Sequence, residues 1–178
     1  MNKELPGQLE LFSDLGKGRR VVVRSLKPAW RKTGIMIDKK ICDSKTAAEI
    51  LRMLIKDDPY ENFWVIYLDG QNHIIGVEHT DRGTVTQASL LPRRLADRLP
   101  IRNVFAGALL SCAAAIVCGH NHPSGNTAPS DGDKEFTRTL VSAGEVMQIK
   151  VLDHIIIGSA ATENNNKSHY SFADEGLL

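Results

Sequence analysis

The stretch GHNHPSGNTAPSDGD, residues 119–133, sets His120 and His122 two positions apart and brings Asp133 after a further loop rich in Pro, Ser, Gly, Asn and Thr. Side chains alternate along a strand, so residues i and i+2 project from the same face. His120 and His122 are therefore expected to point together from the end of a strand, with Asn121 turned away. Asp133 falls in the first turn of the next helix, where the helix dipole favours an ionised carboxylate. The ten residues between His122 and Asp133 are enough to fold that turn back beside the histidines. Pro123, Gly125 and Pro129 stiffen the connection. Two imidazoles and one carboxylate are a ligand set that zinc uses in catalytic sites, with the fourth position left for water.

Such ligands need a strand and a helix to hold them. AAIVCGHNH (114–122) is almost wholly apolar up to the histidines, as expected for a strand covered on both faces. SDGDKEFTRTLVSAGEVM (130–147) reads as a helix with Ser130 as N-cap and Asp133 at its third position. KVLDHIIIGS (150–159) reads as a second buried strand. Upstream, DSKTAAEILRMLIKDD (43–58) starts at Asp43 or Ser44 and repeats Ala47, Ile50, Leu51, Leu54 and Ile55 at helical spacing. NFWVIYLDGQNHIIGVEHT (62–80) predicts a β-hairpin turning at Asp69-Gly70. A short strand is expected over 84–91, a helix over 92–99 opened by Pro92, and a further helix over 102–113 beyond Pro100. The polar stretch 160–178, with ENNNKSHY, reads as loop. The pattern predicts an α/β protein with a central mixed sheet and helices on its faces.

At 178 residues the chain fits one domain. Its 42% hydrophobic and 24% charged content is near the average for soluble globular proteins. The longest apolar run, VFAGALLSCAAAIVCG, falls short of the roughly 18 residues of a membrane span, and the amino terminus has no signal-peptide pattern. No membrane association is expected. Cys42, Cys112 and Cys118 make no CxxC pair, and their odd number argues against a disulfide framework. A cytoplasmic location is expected. The net charge of +1 hides a local excess: nine Lys or Arg from Lys17 to Lys40 against the single acid Asp38. That block, Lys17, Arg19, Arg20 and Arg24 in particular, is either a solvated strand face or a contact for phosphates beside Trp30.

HNHPSGNTAPSDGD resembles the RadC branch of the JAB/MPN metalloproteins, the JAMM group. Their motif is a distant Glu followed by H-x-H-x7-S-x2-D, and His120, His122, Ser130 and Asp133 fit it throughout. HNHPSG, APS and VLDHIIIG (151–158) are features of the RadC branch. The resemblance covers about residues 43–175 and implies a JAB/MPN (cytidine-deaminase-like) mixed β-sheet flanked by helices. It also implies zinc held by His120, His122 and Asp133. The family's Glu stands five residues before a Gly-Thr, which places it at Glu78, ahead of Gly83-Thr84. The implied role of Glu78 is to take a proton from zinc-activated water and return it to the leaving group, work that a carboxylate within hydrogen-bond reach can do. Ser130 in the family donates to the developing oxyanion; its other reading is the helix cap. His154 either supports the metal or packs in a buried strand. Cys118, about 6.6 Å behind His120 on the same strand face, is read as core packing rather than a fourth ligand. His73, His79 and His169 match no ligand spacing, and His79 should face away from Glu78. Between Gly83 and His120 the chain is longer than typical relatives by about nine residues, roughly two helical turns.

The activity implied is a zinc-dependent hydrolase, cleaving a peptide or isopeptide bond in a DNA repair or replication context. The alternative is a DNA-transaction accessory protein, or a nuclease, that uses the basic segment 17–42 with the JAB fold as binding module. Metal-dependent DNA cleavage generally wants oxygen ligands and often two ions about 3.5–4 Å apart, which a His-His-Asp set fits poorly. An inert domain is the least favoured reading, because Glu78, both histidines, Ser130 and Asp133 are all present. Residues 1–42 are too short for the helix–hairpin–helix region of longer family members. Within the tail 1–16, read as flexible, QLELF (8–12) resembles the pentapeptide by which bacterial replication and repair proteins dock on the DNA sliding clamp. There Gln8 would supply a directional hydrogen bond, and Leu9, Leu11 and Phe12 would fill apolar pockets. Edge packing of the same residues is the competing reading.

Overall fold

A computed structural model of the chain describes residues 40–56, 58–82, 99–158 and 169–178. The QLELF segment, basic residues 17–39 and the strand and helix expected over 84–98 lie outside the described residues. Chain order among those described is α1 (Ser44–Ile55), β1 (Asn62–Leu68), β2 (Ile74–Arg82), α2 (Ile101–Leu110), β3 (Ala115–Asn121), α3 (Asp131–Met147), β4 (Lys150–Ile157) and β5 (His169–Ser171).

Local chemistry accounts for most of these boundaries. The Asp43 carboxylate accepts from Thr46 N at 2.7 Å and starts α1, satisfying an amide that the helix itself cannot. Its apolar stripe, Ala47, Ala48, Ile50, Leu51, Leu54 and Ile55, is buried. The hairpin forms as expected, but not with a two-residue Asp-Gly turn. The Asp69 carboxylate accepts from Gln71 N at 2.8 Å and His73 N at 2.9 Å, and the positive φ of 66° falls on Asn72. An aspartate that bonds backbone amides further along the chain competes with the tighter turn, and here it wins. Helix α2 ends at Leu110 rather than 113, with the Ser111 hydroxyl folded back onto the Gly107 carbonyl at 2.8 Å.

The sheet order is β2-β1-β3-β4-β5. β1 is antiparallel to both neighbours, β3 and β4 are parallel, and β5 runs antiparallel to β4. The parallel step is bridged by α3. Every residue of the central strand β3 is buried, because both faces are covered. On one face Phe63, Val65, Tyr67, Ile116 and Cys118 meet Val104 and Phe105 of α2 and Phe136 and Leu140 of α3. On the other, Ile66, Leu68, Val117, Ile155 and Ile157 meet α1. The described residues thus make a single α/β domain with helices on both faces of a mixed sheet. Among the described residues no helix is long and apolar enough to cross a membrane.

The carboxyl-terminal stretch differs from its reading as loop. β5 pairs Ile157, Ile156 and Ile155 with His169, Tyr170 and Ser171, and Phe172 beyond it is wholly buried. Asp153 pins this segment: its carboxylate accepts from the Ser171 hydroxyl at 2.6 Å and from Ala173 N at 3.0 Å. Burial pushes the Asp153 carboxyl above its ordinary value against the pull of those donors.

Candidate metal centre

His120 is the sixth residue of β3 and His122 follows the strand's last residue, Asn121. The two rings approach Nε2 to Nε2 at 3.1 Å. Ser130 caps α3 in a reciprocal box: its side chain accepts from Asp133 N, and the Asp133 carboxylate accepts from Ser130 N. That box fixes Asp133 against the histidines, with Oδ1 at 3.5 Å from His120 Nε2 and Oδ2 at 3.5 Å from His122 Nε2. Tetrahedral zinc with bonds of about 2.0–2.1 Å has ligand–ligand edges of about 3.3–3.4 Å. The His120–His122 separation of 3.1 Å is close to that value, and each histidine has a different Asp133 oxygen at 3.5 Å, so one atom from each side chain lies near enough to the others to hold a common ion. Among the described residues they are the one group of this kind that could hold a metal.

The loop between the ligands closes through specific contacts. His122 N donates to the Ile157 carbonyl at 3.1 Å, joining the end of β3 to the end of β4. Gly125 takes a positive φ of 79°, a conformation that glycine reaches without steric cost. A Cβ at Gly158 would stand 2.7 Å from the Gly125 carbonyl oxygen, so the absence of a side chain there lets the loop lie against the sheet. Asn121 does turn away, as its place in the strand requires. Its Oδ1 accepts from Asn62 N at 2.8 Å and its Nδ2 donates to the Tyr60 carbonyl at 2.9 Å, which ties the start of β1 to the end of β3.

Each ligand has a supporting contact on its far side. His122 Nδ1 lies 2.7 Å from the Asn126 carbonyl. His120 Nδ1 lies 2.9 Å from His154 Nε2. Asp133 also accepts from the Ser130 hydroxyl at 2.7 Å. Burial opposes ionisation of Asp133, but the His122 hydrogen bond, the His120 ring and the Ser130 donors outweigh it, and the carboxyl is held well below its usual range. Burial lowers His122, while Asp133 and the Asn126 carbonyl raise it, with a net upward shift. His154, wholly buried, is driven down to about 4 by burial and is neutral at ordinary pH. His154 both packs in the core and contacts His120: its ring stacks on Phe172 at 5.1 Å while Nε2 faces His120 Nδ1. Thr137, which touches His154 Nδ1 at 2.7 Å, was not legible as a site residue by motif. Its one signal is its position four residues after Asp133, on the same helix face.

Glu78 stands on the face that bears His120. It pairs with Val65, and Val65 pairs with Cys118, two residues before His120. With strands about 4.8 Å apart and a rise of about 3.3 Å per residue, its backbone lies about 12 Å from that of His120, a span that the two side chains and a ligand between them can cover. Its carboxylate accepts from the Tyr67 hydroxyl. Burial, and then that bond, push the Tyr67 phenol upward, so Tyr67 stays protonated and donates. His79 lies on the opposite face, stacked on Trp64 at 4.7 Å. His73 pairs with Asp69 at 3.4 Å on the surface. Cys118 is wholly buried and desolvation pushes its thiol upward. A metal-binding cysteine must be a thiolate, so this thiol belongs to the core. Side-chain exposure grades from none at His120, through 6% at Asp133, to 19% at His122. Of the three, only His122 borders a cleft of about 620 Å³, whose other walls are on the α1 side with Arg52, Lys56, Asp58 and Asn121.

A mixed sheet whose central strand ends in a His-x-His pair, closed by an aspartate from the cap of the following helix, defines the metalloprotein class of JAB domains. The chain belongs to the RadC-like JAB domain family, whose profile matches residues 41–177. It is similar to a UPF0758 protein of Flavobacterium johnsoniae, 35% identical over 174 residues, covering 96% of this chain and 69% of that one. It is likewise similar to UPF0758 proteins of Thiobacillus denitrificans, 41% identical over 130 residues (73% and 51% of the two chains), and of Trichlorobacter lovleyi, 42% identical over 124 residues (70% and 47%). The chain thus spans between about half and about two thirds of the length of the curated relatives it matches.

Proposed function

We propose that the protein is a zinc-dependent hydrolase of the JAMM type that cleaves a peptide or isopeptide bond. The observation that carries this reading is the convergence of one donor atom each from His120, His122 and Asp133 on a common point. A zinc ion held there supplies Lewis acidity toward a carbonyl and toward water. His120, His122 and Asp133 hold it. Glu78, kept as an acceptor by the Tyr67 hydroxyl, is the base that takes the proton of the attacking water and passes it to the leaving amine. Ser130, whose hydroxyl rests on Asp133 Oδ2, turns that proton toward the developing oxyanion.

The test is a comparison of metal content and hydrolysis. Purified protein should bind about one zinc per chain. Glu78→Gln should retain that zinc and lose cleavage of a responsive isopeptide substrate, because an amide cannot carry the proton. A wild-type protein that fails to take up zinc at neutral pH, or a Glu78→Gln variant with unchanged turnover, refutes the reading.

A further inference from the structure

His154 and Thr137 lie outside the ligand set yet join its two halves. Nε2 of His154 in β4 meets Nδ1 of His120 in β3 at 2.9 Å. Nδ1 of His154 meets Thr137 Oγ1 in α3 at 2.7 Å. Thr137 Oγ1 in turn lies 2.6 Å from the Asp133 carbonyl oxygen, one helical turn back. Both side chains are wholly buried.

Counting protons along this path assigns every donor. A carbonyl oxygen only accepts, so the single hydroxyl proton of Thr137 goes to Asp133 O. At the contact with His154 the Thr137 oxygen must then accept, and His154 Nδ1 carries the hydrogen. The His154 ring meets the Thr137 hydroxyl and the His120 ring and, among the described residues, no carboxylate that would hold a second proton, so with Nδ1 as donor its Nε2 is an acceptor. The proton between the two histidines therefore sits on His120 Nδ1. His120 Nε2 is left as a lone pair facing Asp133 and His122. The same count applies to His122, whose Nδ1 faces the Asn126 carbonyl at 2.7 Å and must be the donor. Nδ1 of each histidine is thus engaged on its far side, which leaves the two Nε2 atoms, 3.1 Å apart, directed at the metal position. In His122 a local loop carbonyl does this; in His120 it takes a relay through two further elements of the fold.

We infer that His154 and Thr137 are positioning residues of the metal centre: a relay from β3 through β4 to α3 that sets the proton of His120 and locks it to the helix carrying Asp133. The inference rests on the metal-centre reading above and adds to it two residues that touch no substrate. Apolar packing alone would be served equally by a leucine at 154 or a valine at 137. The relay would not, since neither can accept from His120 or return a proton to Asp133 O.

The test uses the full chain with four substitutions. His154→Leu and Thr137→Val keep volume and remove the relay. His154→Gln puts an amide oxygen near the place of Nε2, and Thr137→Ser keeps the hydroxyl. Zinc affinity is read by competition with a chromogenic chelator, the ligand field by the visible spectrum of the cobalt-loaded protein, and the His120 tautomer by ¹⁵N chemical shifts of the metal-free protein. Thermal unfolding identifies variants that fold. The expected result is a wild-type His120 protonated at Nδ1, a loss of about 10–100-fold in zinc affinity for Thr137→Val and His154→Leu, an altered cobalt spectrum, and recovery in Thr137→Ser and His154→Gln. If His154→Leu does not fold, Thr137→Val decides. Folded Thr137→Val with wild-type affinity, spectrum and tautomer overturns the relay while leaving the metal centre standing. A wild-type protein that binds neither zinc nor cobalt overturns the metal centre, and the relay's role with it.

Discussion

Replacing Gly107 by alanine probes the seam between α2 and the pair Tyr67–Glu78. A Cβ built on Gly107 would fall on the Tyr67 hydroxyl and the Glu78 carboxylate, with the Tyr67 ring carbon that bears the hydroxyl 2.6 Å away. Three effects compete. Alanine in place of glycine in a helix interior gains about 1 kcal/mol. Forcing a methyl into a packed site costs about 1–3 kcal/mol. Parting a hydrogen bond to a charged carboxylate costs about 1.5–3 kcal/mol. The balance is a net destabilisation of about 1.5–5 kcal/mol, a fall in Tm of about 3–20 °C for a chain of this length. Circular-dichroism melts of wild type, Gly107→Ala, Tyr67→Phe and the double variant form a cycle. Because Tyr67→Phe removes one of the three atoms that the new methyl strikes and releases the Glu78 carboxylate to move aside, the two changes should couple by at least about 1 kcal/mol. Zinc uptake should be unchanged, since the ligands lie on β3 and α3, while hydrolysis falls as Glu78 is displaced. A Gly107→Ala protein more stable than wild type, or additivity within about 0.5 kcal/mol, refutes the reasoning.

Ser130→Ala removes the α3 cap and the hydroxyl on Asp133; a loss of about 1 kcal/mol, seen as a Tm lower by about 2–4 °C, should accompany weaker zinc binding in the chelator assay. Zinc at about a hundred times its dissociation constant should stabilise the fold by about 2.7 kcal/mol, so EDTA should lower the Tm by about 5–11 °C, with no effect on Asp133→Ala. Asp153, whose carboxyl is pushed up by burial, favours its protonated form in the folded state; its contribution is present at acid pH and lost as pH rises from 3.8 through the raised folded value. Asp153→Asn should therefore gain on wild type across that window, and denaturant melts at pH 3.5 and 7 with equal differences would contradict it. The segment QLELF should bind purified sliding clamp on the order of tens of micromolar by calorimetry, weakly because ordering a tail offsets contact energy, and Leu11→Ala with Phe12→Ala should abolish the signal.

Strand periodicity and helix capping made the metal triad readable from sequence. Two histidines at i and i+2 must share a face, and a Ser-x-x-Asp start must carry its carboxylate to the cap; both rules act within a few residues, and both hold in the structure. Contacts between distant segments were not readable in that way. The polar run ahead of His169 hides a three-residue strand whose burial depends on Asp153 and on β4, as much as on its own pattern. Thr137 looks like an ordinary helix threonine until β4 sets His154 beside it. The hairpin does turn at Asp69-Gly70, but over a longer connection, because the Asp69 carboxylate takes two backbone amides further along, which a dipeptide rule does not count.

One consequence follows from the parallel pairing of β3 and β4 across α3. Closing the segment 122–149 carries an entropic penalty that rises only as the logarithm of its length, so many registers of β4 on β3 are affordable early in folding. A slip of one residue would turn His154 to the other face of the sheet, away from His120, and would bring Asp153 into its place. The mispaired sheet would retain its apolar strand but lose the histidine contact, so metal competence reports the register itself. An ion in the medium would then act as a proofreader, favouring by its tighter binding those chains in which the two strands have met in step.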